Sequence, residues 1–179
     1  QEFKNNPFLI SGYKTNFRFF VVCIYNNNKL NYYLFNDGII AYSGNKFDPN
    51  NINRNNNITS LHDSKILSDS HKYENGLPYL ISHLKNYKKI IKIIKNNMSK
   101  TVKSFTFNNI NYEHKMFQVF GCDGEIDKEL NFYLYEMNNF YMASQYYYDS
   151  RYIIIEKMLN NIFYKLKISN KTYEDLIEL

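Results

Sequence analysis

Three oxygen-bearing side chains late in the chain, Asp123, Glu136 and Asn138, have residue types and a spacing that suit a metal ion. Glu136 and Asn138 are two positions apart, so in a strand their side chains point to the same face. Pairing with the strand that carries Asp123 would bring its carboxylate alongside them. Two carboxylates and an amide oxygen make a hard, all-oxygen donor set that suits Mg²⁺ carrying nucleotide phosphates. The ordinary alternative is that these polar groups are solvated at strand ends.

Two predicted strands would position this donor set. Apolar residues recur over 117–120 and again over 132–137, and the polar segment 127–129 between them has the composition of a turn. We therefore predict two strands joined by this turn, with Glu136 and Asn138 on the second.

The order of residues in this stretch resembles the metal-binding hairpin of the tubulin–tyrosine ligase family, a branch of the ATP-grasp ligases. The family pattern is Phe-x-x-Phe-Gly-x-Asp, a short acidic turn, a hydrophobic strand and Glu-x-Asn. The chain has the first part at 117–123 and the last at 136–138. The resemblance implies that Asp123, Glu136 and Asn138 hold Mg²⁺, and that Asp123 also takes part in nucleotide binding.

An earlier apolar run over 17–24, broken only by Arg18, is typical of a strand covered on both faces. A polar, Asn-rich segment and a second apolar run over 31–35 follow, which predicts a hairpin. The Asp-Gly pair at 37–38 is predicted to turn the chain into a short third strand over 39–42. The guanidinium of Arg18, placed within a strand, requires a carboxylate or a phosphate as its partner.

This segment is also similar to the family, which has Pro-x-Leu-Ile-x-Gly followed by Lys-Phe-Asp-x-Arg and a hairpin that ends in Gly. The chain has Pro-Phe-Leu-Ile-Ser-Gly at 7–12 and Lys-Thr-Asn-Phe-Arg at 14–18. The resemblance implies that Lys14 contacts nucleotide phosphates. It also implies that Arg18 is a catalytic residue that helps to hold the acyl phosphate or the substrate carboxylate.

Three further nucleotide-binding residues are implied by the resemblance: Gln1, in the hinge that faces the adenine, Asn16 and Thr59. The chain departs from the family pattern around them. Asn16 stands where the family has Asp, and Ala41 stands where it has Arg. The segment 57–60 replaces a His-Leu-Thr-Asn run near the phosphates and keeps only its Thr, because Asn57 and Ser60 differ.

Helical periodicity runs over 77–103, and two helices with a break near Asn86 fit it as well as one. A final helix is predicted with Asp149 as its N-cap. Together with the strands, these helices predict an α/β fold with an antiparallel sheet. The resemblance implies that residues 1–179 form one C-terminal portion of an ATP-grasp domain, whose earlier segments we expect upstream. The polar segment 44–57 is predicted to be a flexible loop.

Composition limits the class of protein. The chain has 179 residues and a net charge of +5, which suits one domain with an acidic partner. The abundance of Asn, Lys, Ile and Tyr is also what an AT-rich coding sequence would produce. No run of about 18 apolar residues occurs, so we expect no membrane span. Cys23 and Cys122 lie in apolar runs and are interpreted as reduced core residues.

The resemblance implies an ATP- and Mg²⁺-dependent ligase that adds Tyr, Glu or Gly to tubulin or another acidic-tailed protein through an acyl-phosphate intermediate. We expect this portion alone to bind ATP weakly, because the other half of the pocket would lie upstream. Such a protein would be cytoplasmic and associated with the cytoskeleton. The alternative is a catalytically degenerate module that binds microtubules. Binding of nucleic acid rests on the basic, aromatic-rich composition alone and ranks last, so neither nucleic acid nor membrane is an expected partner.

Overall fold

A computed structural model describes residues 6–51, 53–57, 59, 76–105, 114–139, 148–168 and 175–179. Its strands are β1 Leu9–Ile10, β2 Tyr13–Asn26, β3 Lys29–Lys46, β4 Met116–Ile126, β5 Phe132–Asn139 and β6 Leu176–Glu178. Its helices are α1 Arg54–Asn57, α2 Tyr87–Lys103 and α3 Tyr148–Lys165, with a 3₁₀ turn at Ile81–His83. The strands form one antiparallel sheet in the order β5-β4-β2-β3-β6, and β1 pairs with β2. The predicted fold class is confirmed.

Strand β2 lies inside the sheet, between β4 and β3. Successive side chains of a strand point to opposite faces, yet Phe17, Phe19, Phe20, Val21, Val22, Cys23 and Ile24 are all buried. The prediction of a strand covered on both faces is therefore confirmed, with Arg18 as its half-buried polar interruption.

The hairpin between β2 and β3 turns at Asn27 and Asn28, whose φ angles are 52° and 57°. Two consecutive residues with positive φ are characteristic of the tight turn that matches the twist of paired strands, and Asn tolerates this conformation well. The predicted hairpin is thus present.

The Asp-Gly pair at 37–38 does not end a strand. Strand β3 runs through it, and the register of β2 against β3 shifts just beyond Phe19, the partner of Gly38. A Cβ at Gly38 would lie 2.5 Å from the carbonyl oxygen of Arg18, so this close approach of the two strands requires glycine. The predicted turn and separate third strand over 39–42 are wrong, because the pair forms a bulge within one long strand.

The helical segment predicted over 77–103 consists of two elements, the 3₁₀ turn and α2, and Asn86 is the N-cap residue of α2. Helix α2 contacts β3 and β5. Its buried side chains are Ile90, Ile91, Ile94, Met98 and Val102. Each fully buried aliphatic side chain contributes about 1.5–3 kcal/mol, so this apolar stripe fixes the helix on the sheet.

The last helix begins at Tyr148, so Asp149 lies in its first turn rather than at the predicted N-cap. In the described part of the chain, its buried apolar side chains, with one residue just beyond its end, are Ile154, Met158, Ile162 and Leu166. Within the described residues, no helix is long and apolar enough to cross a membrane.

The segment predicted as a loop over 44–57 is shorter than expected at both ends. Strand β3 extends to Lys46, and α1 occupies the last four residues of the segment. Asn56 is buried in α1, where its side-chain amide donates to the carbonyl oxygen of Asn51 at 3.2 Å. The two cysteines are free and buried, as predicted.

Candidate active site

One face of the sheet carries a row of charged side chains across three neighbouring strands. Arg18 of β2 is the partner of Asp123 in β4, and Asp123 is in turn the partner of Glu136 in β5. Residues directly opposite each other in paired strands point to the same face, so the register alone brings the three side chains together. Asn138 follows two residues later on β5, opposite Gly121.

Arg18 and Asp123 form a two-pronged ion pair. The Nε of Arg18 donates to Oδ1 of Asp123 at 2.8 Å, and its Nη2 donates to Oδ2 at 2.6 Å. The hydrogen bond to Asp123 is the main reason that the pKa of Arg18 is raised, and burial opposes it. The side chain of Arg18 is 33% exposed and that of Asp123 is 14% exposed, so this pair borders solvent. The partner that the sequence required for Arg18 is a carboxylate of its own chain.

Glu136 extends this pair with a second carboxyl group. A hydrogen bond with Asp123 raises the pKa of Glu136, and burial and the negative charge of Asp123 act in the same direction. The charge of Arg18 and a hydrogen bond with Asn138 oppose this rise. Glu136 therefore contacts both other members of the donor set predicted from the sequence. The four side chains form what we call the open end: Arg18, Asp123, Glu136 and Asn138.

The chemistry of the open end fits a divalent cation. Asp123 raises the pKa of Glu136, through their hydrogen bond and because two adjacent carboxylates disfavour each other's charge, and a cation between them would relieve this repulsion. The amide oxygen of Asn138 supplies a third hard donor. Within the described residues, no three His, Cys, Asp or Glu side chains are grouped so that they would hold a metal ion. The fit for Mg²⁺ therefore depends on Asn138 as well as on the two carboxylates.

Lys14 lies on the same face, four residues before Arg18 in β2, but its ammonium contacts a different carboxylate. Its Nζ is 3.2 Å from Oε2 of Glu125, and the two side chains are only 10% and 2% exposed. The hydroxyl of Tyr135 donates to the same carboxylate oxygen. We call Lys14, Glu125 and Tyr135 the closed end of the face.

Sequence reasoning missed Glu125 and Tyr135. The position of Glu125, two residues after Asp123 in a strand, was a usable signal, because alternate residues share a face. Tyr135 gave no such signal. The register of β4 against β5 shifts beside Asp123, which leaves Tyr135 without a partner in β4 and allows it to reach Glu125.

The two departures from the family pattern lie opposite each other. Asn16 of β2 is the partner of Ala41 in β3, on the face that carries Lys14 and Arg18. The side-chain oxygen of Asn16 is buried and finds no hydrogen-bond partner in the described part of the chain, and Ala41 offers none. Neither residue brings charge to the face, so both positions that are charged in the family pattern are neutral here.

Thr59 forms an isolated bridge with Ser43, whose hydroxyl accepts from the backbone N–H of Lys14 at 3.1 Å. Thr59 is thereby placed near the start of β2. Asn57 ends α1. Gln1 and Ser60 lie outside the described residues. A metal or nucleotide role for the predicted residues stays a prediction.

A cavity of about 430 Å³ lies elsewhere, between the bulge of β3, the start of α2 and helix α3. Asp37, Ser82, Tyr87 and Lys157 are among its lining residues. The carboxylate of Asp37 already accepts hydrogen bonds from the backbone N–H and the hydroxyl of Ser82, at 3.0 and 2.6 Å. None of the lining residues belongs to the open or the closed end, so this cavity is separate from the charged face.

Two comparisons with known proteins find similarities, one to a protein family and one to a solved structure. The model of the tubulin-tyrosine ligase family matches residues 1–172. A solved structure with a similar fold is the C-terminal domain from K. lactis Pby1, an ATP-grasp enzyme interacting with the mRNA decapping enzyme Dcp2. The TM-score is 0.61 at 18% sequence identity, and the match covers 99% of this chain and 51% of that chain. This chain therefore spans about half the length of that solved domain. Comparison with curated proteins finds no match.

Proposed function

This chain belongs to the tubulin–tyrosine ligase family, and from that premise we propose that it is the C-terminal part of an ATP- and Mg²⁺-dependent amide ligase. The proposed substrates are an amino acid (Tyr, Glu or Gly) and a carboxylate on tubulin or another acidic-tailed protein. The row formed by Arg18, Asp123 and Glu136 across three strands supports this proposal most directly. We further propose that the protein is cytoplasmic and associated with the cytoskeleton.

The proposed reaction has two steps. The γ-phosphoryl group of ATP moves to the acceptor carboxylate, and ADP leaves. The amine then attacks the acyl carbon and loses a proton, and inorganic phosphate leaves. Bound Mg²⁺, held by Asp123, Glu136 and Asn138, would supply positive charge where the phosphoryl group is transferred.

Arg18 is the residue of this chain that would contact the reacting oxygens. A guanidinium has five N–H donors, and Nε and Nη2 of Arg18 point at Asp123, which fixes the plane of the group. The remaining donors would bind the substrate carboxylate and its phosphorylated form. Asp123 would thus position Arg18 as well as contribute to the donor set. The family pattern has a second arginine where this chain has Ala41, so a slow reaction is expected.

The test is incorporation of labelled Tyr, Glu or Gly into tubulin by the full-length protein. We expect slow incorporation that requires both ATP and Mg²⁺. Glu136→Gln should abolish it while leaving the melting temperature unchanged, because Glu136 is exposed and its loss removes a cation ligand rather than a packing contact. Glu129→Gln is the matched control, since it makes the same change on an exposed residue of the same hairpin.

A second candidate is a non-catalytic module that binds microtubules. It is favoured by the charge arrangement of the face, where Lys14 pairs with Glu125, Arg18 pairs with Asp123, and Ala41 adds no charge. If wild-type protein incorporates no label above Glu136→Gln but sediments with microtubules, this second candidate is correct. Failure of both assays would exclude tubulin as the partner.

A further inference from the structure

Glu125 has a buried carboxylate, and both of its polar contacts within the described residues involve the same oxygen atom. Its side chain is 2% exposed, and its Oε2 lies 3.2 Å from Nζ of Lys14. The hydroxyl of Tyr135 donates to the same oxygen. Its other oxygen, Oε1, is buried and has no hydrogen-bond partner among the residues that the structure describes. A carboxylate this deeply buried is held in place by the sheet, so it cannot move aside when an anion approaches.

The consequence concerns the charge that Lys14 presents. A buried ammonium next to a fixed carboxylate offers an approaching anion a dipole rather than a net positive charge. Screening by salt is weak at such depth, so the opposing charge of Glu125 acts at nearly full strength on anything that Lys14 contacts. A phosphate oxygen must therefore compete with Glu125 for the same ammonium.

We infer that Glu125 limits the affinity of this chain for polyphosphates by withholding Lys14 from them. Glu125 is thereby an affinity-determining residue for the nucleotide. The inference rests on the proposed function because it takes the polyphosphate that binds at this face to be that of ATP. It goes beyond that function because it assigns Glu125 the role of weakening the binding of phosphate by Lys14.

Tyr135 modulates this effect. The phenol hydroxyl of Tyr135 is a hydrogen-bond donor, and its acceptor is the carboxylate of Glu125. A hydrogen bond donated to Oε2 of Glu125 draws negative charge away from Lys14. Removal of the hydroxyl should therefore strengthen the hold of Glu125 on Lys14 and weaken phosphate binding further.

The experiment measures binding of Mg-ATP and of inorganic tripolyphosphate to the full-length protein by calorimetry. It compares wild type, Glu125→Gln, Tyr135→Phe and the control Glu129→Gln, at a temperature where circular dichroism shows each to be folded. Removal of the opposing charge should tighten binding of both probes about tenfold in Glu125→Gln. Tyr135→Phe should weaken binding about twofold, since one neutral donor is lost. The control should equal wild type.

A gain in affinity distinguishes this role from a merely structural one, because loss of a structural contact cannot tighten binding. Unchanged or weaker binding by Glu125→Gln overturns the inference. If Glu125→Gln does not fold, Tyr135→Phe decides, and unchanged or tighter binding there overturns it. If no variant binds Mg-ATP, the proposed function fails, and tripolyphosphate alone then tests the inference: a gain in Glu125→Gln supports it, and no gain overturns it.

Discussion

The two ion pairs that join β2 to β4 have similar chemistry and different surroundings. At the open end, the side chains of Arg18 and Asp123 are 33% and 14% exposed. At the closed end, those of Lys14 and Glu125 are 10% and 2% exposed. Both pairs lie on one face of the same two strands, a few residues apart. Burial is therefore the main variable between them.

This difference separates two uses of an ion pair. A pair that borders solvent contributes little net stability, and water or a ligand readily replaces one partner. A buried pair has already lost its hydration, so removal of one partner leaves the charge of the other uncompensated. We therefore assign exchange with metal and substrate to the open end, and charge compensation to the closed end.

The largest effect should follow from breaking the closed end. Glu125→Leu removes the carboxylate beside buried Lys14 and should lower the free energy of unfolding by about 3–5 kcal/mol. Adding Lys14→Met should restore most of the loss, because an apolar pair then fills the same space. Asp123→Leu, the matched change at the open end, should cost only about 1 kcal/mol. Urea denaturation measures all three, and equal losses at the two ends would contradict the assignment.

A smaller difference in stability should distinguish alanine substitutions at two glycines of β4. A Cβ at Gly124 would lie 2.6 Å from the ring of Phe132 and 2.9 Å from the carbonyl oxygen of Tyr133. Gly124→Ala should therefore cost about 1–3 kcal/mol, since crowding forces ring and backbone apart. At Gly121, beside the open end, a Cβ would meet no described atom within 4 Å, and Gly121→Ala should be nearly neutral. Thermal melts of the two variants compare them directly, and a greater loss at Gly121 would show that the open end is closely packed.

The smallest effect is a titration at the open end. Asp123 raises the pKa of Glu136, chiefly through their hydrogen bond. A carboxyl group with a raised pKa stabilises the fold below its unfolded pKa, and this stabilisation is lost as the pH rises through the folded pKa. Carbon-13 NMR should show the raised pKa, and Mg²⁺ should lower it because a cation favours the ionised form. A pKa that Mg²⁺ does not move would argue against the cation site.

Much of the fold follows from local patterns. The apolar run of β2, the Asn-rich hairpin after it and the hairpin of β4 and β5 were each predicted with the right partners. The Asp-Gly pair at 37–38 was misread because its composition suits a tight turn, whereas the close approach of β2 makes it a bulge. Composition identifies where a backbone can bend, but the neighbouring strand decides whether it does.

The candidate site was also predicted only in part from the sequence. Spacing along β5 predicted that Glu136 and Asn138 share a face, since side chains in any strand alternate. It predicted nothing about Glu125 as the partner of Lys14. That pairing depends on β4 lying beside β2 in one register, which sets residues more than a hundred positions apart opposite each other, as Arg18 and Asp123 show.

The sequence by itself therefore determined which residues are available for chemistry and which face of a strand each one occupies, because these depend on residue type and on a period of two. Only the tertiary structure decided which charges neutralise one another and which remain exchangeable. Those outcomes depend on the register between distant strands and on the depth at which each pair is buried. Lys14 and Arg18, four residues apart in one strand, differ in role for that reason.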